Sequence, residues 1–201
     1  MSSKERLVNA TAELLWQFGY QATSPSRIQQ LAGVGQGSMY HHFAGKAGLA
    51  KSAMEQLASD LRTDTLAGIG SPNGAIEALH AYLDLRRQPL AGCRMGRLVQ
   101  DPDVVADDEL RGIAGAAFDW QRQLLADAMR DGQRTGELRT DFDPEQVAAV
   151  VVAIVQGGYV QARAADDASM LGRITECAKQ LVNGLAAPVT SESVPPEGNT
   201  P

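Results

Sequence analysis

Residues 23–49 read TSPSRIQQLAGVGQGSMYHHFAGKAGL, and this stretch decides the fold. It predicts two short helices joined by a tight turn at about residues 31–35, followed by the start of a further helix. Gly33 and Gly35 allow backbone angles in the turn that other residues avoid. The second short helix, about residues 36–42, carries small, polar and aromatic side chains. This pattern is typical of a helix-turn-helix, whose second helix enters the DNA major groove N-terminus first.

The second short helix carries the side chains expected to contact DNA. Gln36 and Ser38 both donate and accept hydrogen bonds, which suits them to base edges. Gly37 lets the backbone approach the DNA closely, and Tyr40 and His41 are expected to reach phosphates. The full set of predicted DNA contacts comprises Thr23, Ser24, Arg27, Gln36, Gly37, Ser38, Tyr40, His41 and Lys46.

Several side chains in this stretch have a second interpretation. Phe43 is expected in the core, Leu31 is expected to face inward, and Tyr40 is either a phosphate contact or a packing residue. The adjacent pair His41 and His42 suggests a metal site at first sight. Adjacent helical residues do not share a face, however, and no cysteine or acidic ligand cluster lies nearby, so no metal site is predicted.

The spacing of these residues resembles the tetracycline-repressor (TetR) family of one-component bacterial regulators. That family's pattern is a threonine, a spaced isoleucine, an Ala-Gly-Val turn, Gly-x-x-Tyr-x-His-Phe, and then a lysine and a leucine. The residues that match it in order are Thr23, Ile28, Leu31, Ala32, Gly33, Val34, Gly37, Tyr40, His41, His42, Phe43, Lys46 and Leu49. The chain departs from the family at Gly35, where Ser or Thr is common, and at Gln29, where alanine is frequent.

The resemblance implies an all-α fold with an N-terminal three-helix helix-turn-helix domain, followed by a larger helical bundle that binds a ligand and dimerises. We expect the DNA-binding domain at residues 1–47, the ligand-binding and dimerisation domain at 48–186, and a disordered tail at 187–201. The tail is rich in Pro, Ser, Thr and Gly and has too little apolar content to fold.

Composition is consistent with a cytoplasmic regulator. The chain has 201 residues and a net charge of −6. Residues 1–51 hold five basic and two acidic side chains, a charge of +3, so the remainder carries −9. This distribution suits a DNA-reading head on an acidic body. The N-terminus lacks an apolar signal core, no apolar run reaches the roughly 20 residues of a membrane helix, and Cys93 and Cys177 are expected to be free thiols.

Periodicity and turn residues place the later helices. We expect the fourth helix at about 45–66 and a fifth at about 75–88. The stretch from Gly92 to Asp101 resembles a segment in one subset of the family, and this resemblance implies a short sixth helix that opens at Gly92 and Cys93. A seventh is expected at about 104–132, and Gly112 and Gly115 suggest a break within it. Asp143 and Pro144 predict the start of an eighth, and a ninth follows at about 168–185.

Bulky apolar side chains on the fifth to eighth helices predict a cavity for a largely apolar ligand, of the kind that helical bundles build. A filled core is the alternative interpretation, and the cavity is favoured because the resemblance implies one. The predicted ligand-binding residues are Tyr82, Cys93, Met95, Leu98, Phe118, Trp120, Leu124 and Tyr159.

Cys93 has two interpretations. If it lies at a helix N-terminus, the helix dipole and neighbouring arginines favour its thiolate, which would make it a redox or electrophile sensor. Otherwise it is a small buried hydrophobic residue.

The eighth helix is apolar almost all round until Arg163, which indicates burial on more than one side. The resemblance implies that it pairs with the ninth helix to form half of a homodimer interface. A two-fold dimer would place two recognition helices about one DNA turn apart. The alternative is that both helices only close the monomer's own core.

These observations favour a homodimeric, ligand-responsive transcriptional regulator, most often a repressor in this family, released from a palindromic operator by a small apolar molecule. No Gly-rich phosphate loop, nucleophile elbow, metal-spaced His/Cys set or pair of carboxylates in an apolar setting appears, so neither an enzyme nor a cofactor is expected. Two alternatives remain open: a repressor switched through Cys93, and a helical ligand-binding protein that does not bind DNA.

Overall fold

The structure is a computed structural model, and it describes residues 1–188. Ten α-helices and no β-strand are present in that range, which confirms the predicted all-α class. The helices are α1 (Ser3–Ala22), α2 (Pro25–Ala32), α3 (Gln36–His42), α4 (Lys46–Ile69), α5 (Ala75–Leu83), α6 (Arg94–Leu98), α7 (Pro102–Ala106), α8 (Asp108–Thr135), α9 (Pro144–Ala165) and α10 (Ser169–Asn183). The predicted tail lies almost wholly outside the described residues.

The first helix begins at a capping box and bends near its end. The Ser2 side chain accepts a hydrogen bond from the Glu5 amide, and the Glu5 carboxylate accepts one from the Ser2 amide at 2.7 Å. This reciprocal pair satisfies two amides that a helix start leaves without partners. Gly19 has a φ of +81°, so the backbone kinks there and one more turn follows, to Ala22.

The helix-turn-helix forms as the sequence predicts. Ser24 caps α2 by accepting from the Arg27 amide, and Gly33 ends α2 in the left-handed region at a φ of +61°. Phe43 is buried, as expected. The expectation for Leu31 was wrong: it is 49% exposed, because Ile28 and Ala32 occupy the inward face of this short helix.

Two apolar clusters hold the fold together. The first joins buried residues of α1 to α4 with those of α6, α7 and the first half of α8. The second joins α5, the second half of α8, α9 and α10. The first three helices therefore share a continuous core with α6 to α8. The predicted boundary between residues 47 and 48 falls inside the first turn of α4.

The predicted seventh helix is two helices, and the break is not where the glycines suggested. Asp107 separates α7 from α8, and its carboxylate accepts hydrogen bonds from the amides of Glu109 and Leu110, both at 3.0 Å. An aspartate that caps a new helix stops the preceding one. Gly112 and Gly115 lie within the continuous helix α8 and face open space.

α9 is the one helix among residues 1–188 that is long and apolar enough to cross a membrane by length and composition, although we expected none. Its most apolar window has a mean hydropathy of 1.4, and 33% of that window is buried within the chain. α8 and α10 pack against its buried face. The remaining face is apolar and uncovered in the single chain, with Val150 57% and Val160 56% exposed.

Candidate functional site

The exposed face of α3 presents the predicted base-reading residues together. Gln36 is the first residue of the helix, and Gln36, Gly37 and His41 are exposed, with Ser38 half-buried. Tyr40 is 52% exposed. Met39 is completely buried and fixes the opposite face of α3 to the core. The first turn of α3 is therefore free to enter a groove while its inner side is held in place.

The start of α2 adds a cation beside an exposed aromatic ring. The Arg27 guanidinium lies 4.2 Å from the ring centroid of Phe18, and its Nη1 donates to the Ala22 carbonyl at 2.9 Å. These contacts hold an exposed charge in a fixed position, as a phosphate contact requires. Ser24 is occupied in capping α2.

Thr23 is a correction to the predicted DNA contacts. Its side chain is completely buried, and its Oγ1 donates to the Gly19 carbonyl at 2.7 Å. Its amide donates to the Tyr20 carbonyl at 3.1 Å. Both donors are thus used inside the protein, and Thr23 closes the kinked end of α1 instead of facing DNA.

Lys46 lies at the first position of α4, where its Nζ is 3.9 Å from the ring centroid of Tyr20. Burial lowers the pKa of Lys46, and the nearby carboxylates of Asp103 and Asp101 oppose that shift. Burial also raises the pKa of Tyr20, together with Asp107, Asp103 and Asp101. The predicted phosphate contact therefore sits next to the acidic start of α7.

Hydrogen bonds tie the end of α1 to the segment of α6 and α7. Asp101 Oδ2 accepts from the amides of Tyr20 at 2.8 Å and Gln21 at 3.3 Å. Arg97 Nη1 donates to the carbonyls of Trp16 at 2.7 Å and Gln17 at 2.9 Å. We call this set of bonds the α1–α6 joint. It attaches the helix that supports the DNA-binding face to the short helix α6.

A cavity of about 440 Å³ lies between α1, α4, α5, α6, α8 and α9. Three of the predicted ligand-binding residues, Tyr82, Cys93 and Tyr159, line it. Its volume is within the range of small-molecule sites, about 300–1,000 Å³. A second cavity of about 380 Å³ adjoins it and shares Gly92, Cys93, Gln156 and Tyr159 with the first.

The other five predicted ligand-binding residues line neither of these cavities. Met95 and Leu98 are completely buried in the first apolar cluster. Phe118 packs between the two clusters. Trp120 is half-buried with its ring 5.1 Å from the Arg62 guanidinium, and Leu124 is half-buried on α8. For Met95, Leu98 and Phe118 the filled-core interpretation fits the structure better, whereas Trp120 and Leu124 belong to neither apolar cluster.

Sequence reasoning missed most of the polar wall of the cavity. The additional lining residues include Trp16, Asp64, Arg86, Arg87, Gln88, Arg94, Gln121 and Gln156. The signal that was available is the cluster of arginines around Cys93, which we had considered only for its effect on the thiol. Trp16 lies on α1 and reaches the cavity because its Nε1 donates to the Gly92 carbonyl at 3.1 Å.

The tyrosines of the cavity are uncharged hydrogen-bond donors. Burial raises the pKa of Tyr82 to about 12, and the Arg87 guanidinium opposes that shift. Burial also raises the pKa of Tyr159, with a further contribution from Cys93. The Tyr82 hydroxyl donates to Gln121 Oε1 at 2.9 Å. These neutral phenols and the Arg87 guanidinium form part of the polar wall of the cavity.

Cys93 caps the short helix α6 from the boundary of both cavities. Its Sγ accepts from the Gly96 amide at 3.4 Å, and the residue is buried, 9% exposed. Cys177 is exposed on α10, so the two free thiols lie in different environments. Within residues 1–188, no group of three His, Cys, Asp or Glu side chains is placed to hold a metal ion.

An exposed recognition helix on a buried anchor, followed by a larger helical body, defines a helix-turn-helix DNA-binding protein. A profile described as "Bacterial regulatory proteins, tetR family" matches residues 7–53. A second, "Tetracyclin repressor-like, C-terminal domain", matches residues 73–178. The chain belongs to the TetR family and is a DNA-binding transcriptional regulator. Members of this family bind DNA operators, dimerise and bind small-molecule effectors, and they are not enzymes.

Curated relatives agree with this assignment. The chain is 28% identical over 169 residues to the transcriptional regulator AcuR of Cereibacter sphaeroides. This alignment covers 79% of this chain and 75% of that protein. The chain is also 25% identical over 196 residues to the A-factor receptor protein of Streptomyces griseus. That alignment covers 96% of this chain and 67% of the receptor protein.

Solved structures share the fold. A TetR transcriptional regulator from Chloroflexus aurantiacus J-10-FL superposes with a TM-score of 0.83 at 25% identity. The superposition covers 92% of this chain and 96% of that one. A TetR-family regulator from Cytophaga hutchinsonii also gives a TM-score of 0.83, at 22% identity, over 91% of this chain and 94% of that one. The second likeness speaks for the fold alone.

Proposed function

We propose that this protein is a cytoplasmic, homodimeric repressor that leaves a palindromic operator when a small molecule enters the first cavity, which is lined by Tyr82, Cys93 and Tyr159. Residues 1–47 read the DNA, and residues 48–186 bind the effector and dimerise. The observation that carries the proposal is the sharing of α6 between two sites. Arg94 of α6 and its cap Cys93 line the cavity, and Arg97 of the same helix bonds to α1.

The switch works through the α1–α6 joint. A ligand that displaces α6 would strain the bonds from Arg97 and Asp101 to the end of α1. The DNA-binding domain would then favour a position in which the two recognition helices of the dimer no longer fit successive major grooves. Such a ligand must prefer the released state, by about 1–3 kcal/mol for a typical allosteric response.

The uncovered faces of α9 and α10 support the dimer. Positions 150, 153, 157, 160 and 164 form one stripe along α9, which is exposed except for the half-buried Gly157. Positions 170, 174, 177 and 181 form another along α10, where 177 and 181 are exposed and 170 and 174 are half-buried. Leu181, in the α10 stripe, is 65% exposed. A second copy of the chain would bury both stripes through a two-fold contact. This arrangement also accounts for the apolar character of α9 without a membrane.

The two tryptophans of the chain provide a direct test of effector binding. Trp16 lines the cavity and Trp120 does not. Small molecules that raise the unfolding temperature should change the fluorescence of Trp16 and, at the same concentrations, release operator DNA. The Trp16→Phe variant should lose the fluorescence change, and Trp120→Phe should keep it. Molecules that release DNA while the Trp16 signal stays constant would contradict this site.

Covalent modification of Cys93 is a second candidate for the signal, because the thiol borders both cavities. The Cys93 thiolate adds to the carbon–carbon double bond of N-ethylmaleimide: a C–S bond forms at one carbon, and the other carbon takes up a proton. The adduct would fill the cavity and displace α6. We expect the reagent to release DNA from the wild type and from Cys177→Ser, which lacks the exposed thiol. Cys93→Ser should bind DNA and resist release. Equal release of the Cys93→Ser variant would rule the candidate out.

A further inference from the structure

The cavities concentrate positive charge in an acidic body. Arg86, Arg87 and Arg94 line the first cavity, where the one acidic lining residue is the exposed Asp64. Arg97 and Arg163 line the second, which has no acidic lining residue. None of these five arginines forms a salt bridge with another residue in the range 1–188, although most other arginines of the body do. Residues 52–201 carry a net charge of −9, so this cluster opposes the charge of its surroundings.

Arg87 is a half-buried cation that the protein neutralises only in part. Its guanidinium donates to the carbonyls of Leu83 at 2.9 Å, Leu85 at 3.0 Å and Tyr82 at 2.6 Å. The Tyr82 and Leu83 carbonyls lie in the last turn of α5 and carry the negative end of the helix dipole, which offsets part of a unit charge. Three of five guanidinium donors are used in this way. The side chain is held rigidly at the cavity wall, beside the hydroxyls of Tyr82 and Tyr159.

Arg94, on α6, lines the same cavity. Its guanidinium lies 4.6 Å from the ring centroid of Trp16 and forms no hydrogen bond with another described residue. The Tyr159 hydroxyl likewise donates to no other described residue. Two cations and a neutral phenol with free donors therefore line one cavity, and this set of donors matches the acceptors of a carboxylate.

The rest of the cavity wall limits the body of the ligand. Leu61, Leu85 and Val155 provide apolar surface, together with the ring of Trp16. The cavity of about 440 Å³ lies near the lower end of the range for ligand sites. It suits a compact acyclic or single-ring group.

We propose that the effector is a small organic anion, a monocarboxylate with a compact apolar body, bound by Arg87 and Arg94 with the Tyr159 hydroxyl. This inference rests on the proposed function and replaces the largely apolar molecule predicted from the sequence. Because Arg94 is the first residue of α6, its attraction to the carboxylate would act directly on the helix that carries the α1–α6 joint.

The test compares carboxylates with their neutral amides. Butyrate, hexanoate, benzoate and phenylacetate would be titrated against butyramide, hexanamide, benzamide and phenylacetamide at matched ionic strength. Binding would be measured by calorimetry, and DNA release by anisotropy on a duplex that the protein itself has selected. We expect at least one carboxylate to bind about tenfold or more tightly than its amide, since a hydrogen bond to a charged group is roughly twice as strong as a neutral one.

Variants then assign the preference to the arginines. Arg94→Gln should reduce the preference for the carboxylate by about tenfold. Arg87→Lys keeps the charge but loses the planar fork, and it should weaken binding as well. Arg134→Gln, on the exposed surface of α8, is the matched control and should change neither. Because Arg87 also caps α5, the result with Arg94→Gln decides.

The two proposals can fail separately. The inference is wrong if the amides bind as tightly as the acids, if no carboxylate of the series binds, or if Arg94→Gln keeps the full preference. Release of the duplex by neutral ligands would contradict the inference and support the proposed function. Failure of the unliganded protein to bind any selected duplex would contradict the proposed function itself.

Discussion

At the scale of single residues, Thr23 shows that a position can match a family pattern because of its role in the fold and not because it contacts DNA. The sequence places it next to the recognition element, and a contact with DNA was a natural prediction. The structure uses its hydroxyl to satisfy the Gly19 carbonyl, which the kink in α1 exposes. Sequence alone does not reveal a positive φ at Gly19. It therefore could not show that the Thr23 hydroxyl already donates a hydrogen bond within the protein.

Thr23→Val tests this role, because valine has nearly the same shape and lacks the donor. We expect a loss of about 1–3 kcal/mol in the free energy of unfolding, since the half-buried Gly19 carbonyl would lose its partner and the buried Thr23 side chain would no longer make the bond. Urea denaturation measures the loss. Thr63→Val removes the same type of bond, from Thr63 to the Ser59 carbonyl, at an exposed site and should have little effect. Equal losses in both variants would contradict the role of the buried bond.

Gln36→Ala tests base reading at the start of α3. We expect the free energy of binding to the selected duplex to weaken by about 1–3 kcal/mol, with little change for unrelated DNA, because a base contact contributes specificity. Anisotropy titrations on both duplexes measure the ratio. Gln17→Ala is the control, because this exposed glutamine bonds to Glu13 within α1. A uniform loss on both duplexes would make Gln36 a phosphate contact instead.

Whether a residue of the cavity wall could be predicted from the sequence depends on how far tertiary packing decides its position. Tyr82 and Tyr159 were predictable, because large side chains with a polar end suit a pocket wall. Met95 and Leu98 were not distinguishable from them in the sequence, yet both pack fully into the core. Trp16 was out of reach, because it comes from α1, some 66 positions before Tyr82, and only the folded chain brings the two together.

At the scale of elements, capping residues were more informative than glycines. Asp143 and Pro144 correctly marked the start of α9. Gly112 and Gly115 suggested a break in the long helix, but the break lies at Asp107, where the carboxylate bonds to two amides of the next helix. A glycine only weakens a helix, whereas a capping side chain stabilises the start of another.

Asp101→Ala tests the α1–α6 joint at this scale. The Asp101 carboxylate holds the amides of Tyr20 and Gln21, so its removal should speed hydrogen exchange at those two amides. Exchange measured by NMR would resolve both positions. Asp143→Ala removes a comparable cap at α9 and should leave Tyr20 and Gln21 unchanged. Unaltered exchange in Asp101→Ala would show that the joint does not depend on this carboxylate.

At the scale of the whole molecule, the uncovered stripes of α9 and α10 are the main feature that a single chain leaves unexplained. The sequence predicted burial on more than one side, and the fold shows one face buried against α8 and α10. The other face needs a partner, and the sequence gives no direct means to identify it. Membership of a dimerising family makes a second copy the simplest partner.

Val150→Glu combined with Leu181→Glu tests the dimer. At a two-fold contact each introduced glutamate would be buried close to the glutamates of the other subunit, and their like charges would repel. We therefore expect the double variant to be monomeric and to bind a palindromic duplex much more weakly. Light scattering after size exclusion gives the mass. Val105→Glu, at a 42% exposed site on α7, is the control and should remain dimeric. A dimeric double variant would place the interface elsewhere.

The central claim is that the unliganded protein reads a two-fold symmetric DNA site as a dimer. Selection of bound duplexes from a random library, repeated at two salt concentrations, tests it most directly. We predict enrichment of a palindrome with half-sites about one helical turn apart, with affinity that falls as salt rises. Enrichment of an asymmetric single site, or of no sequence by the folded protein, would contradict the account.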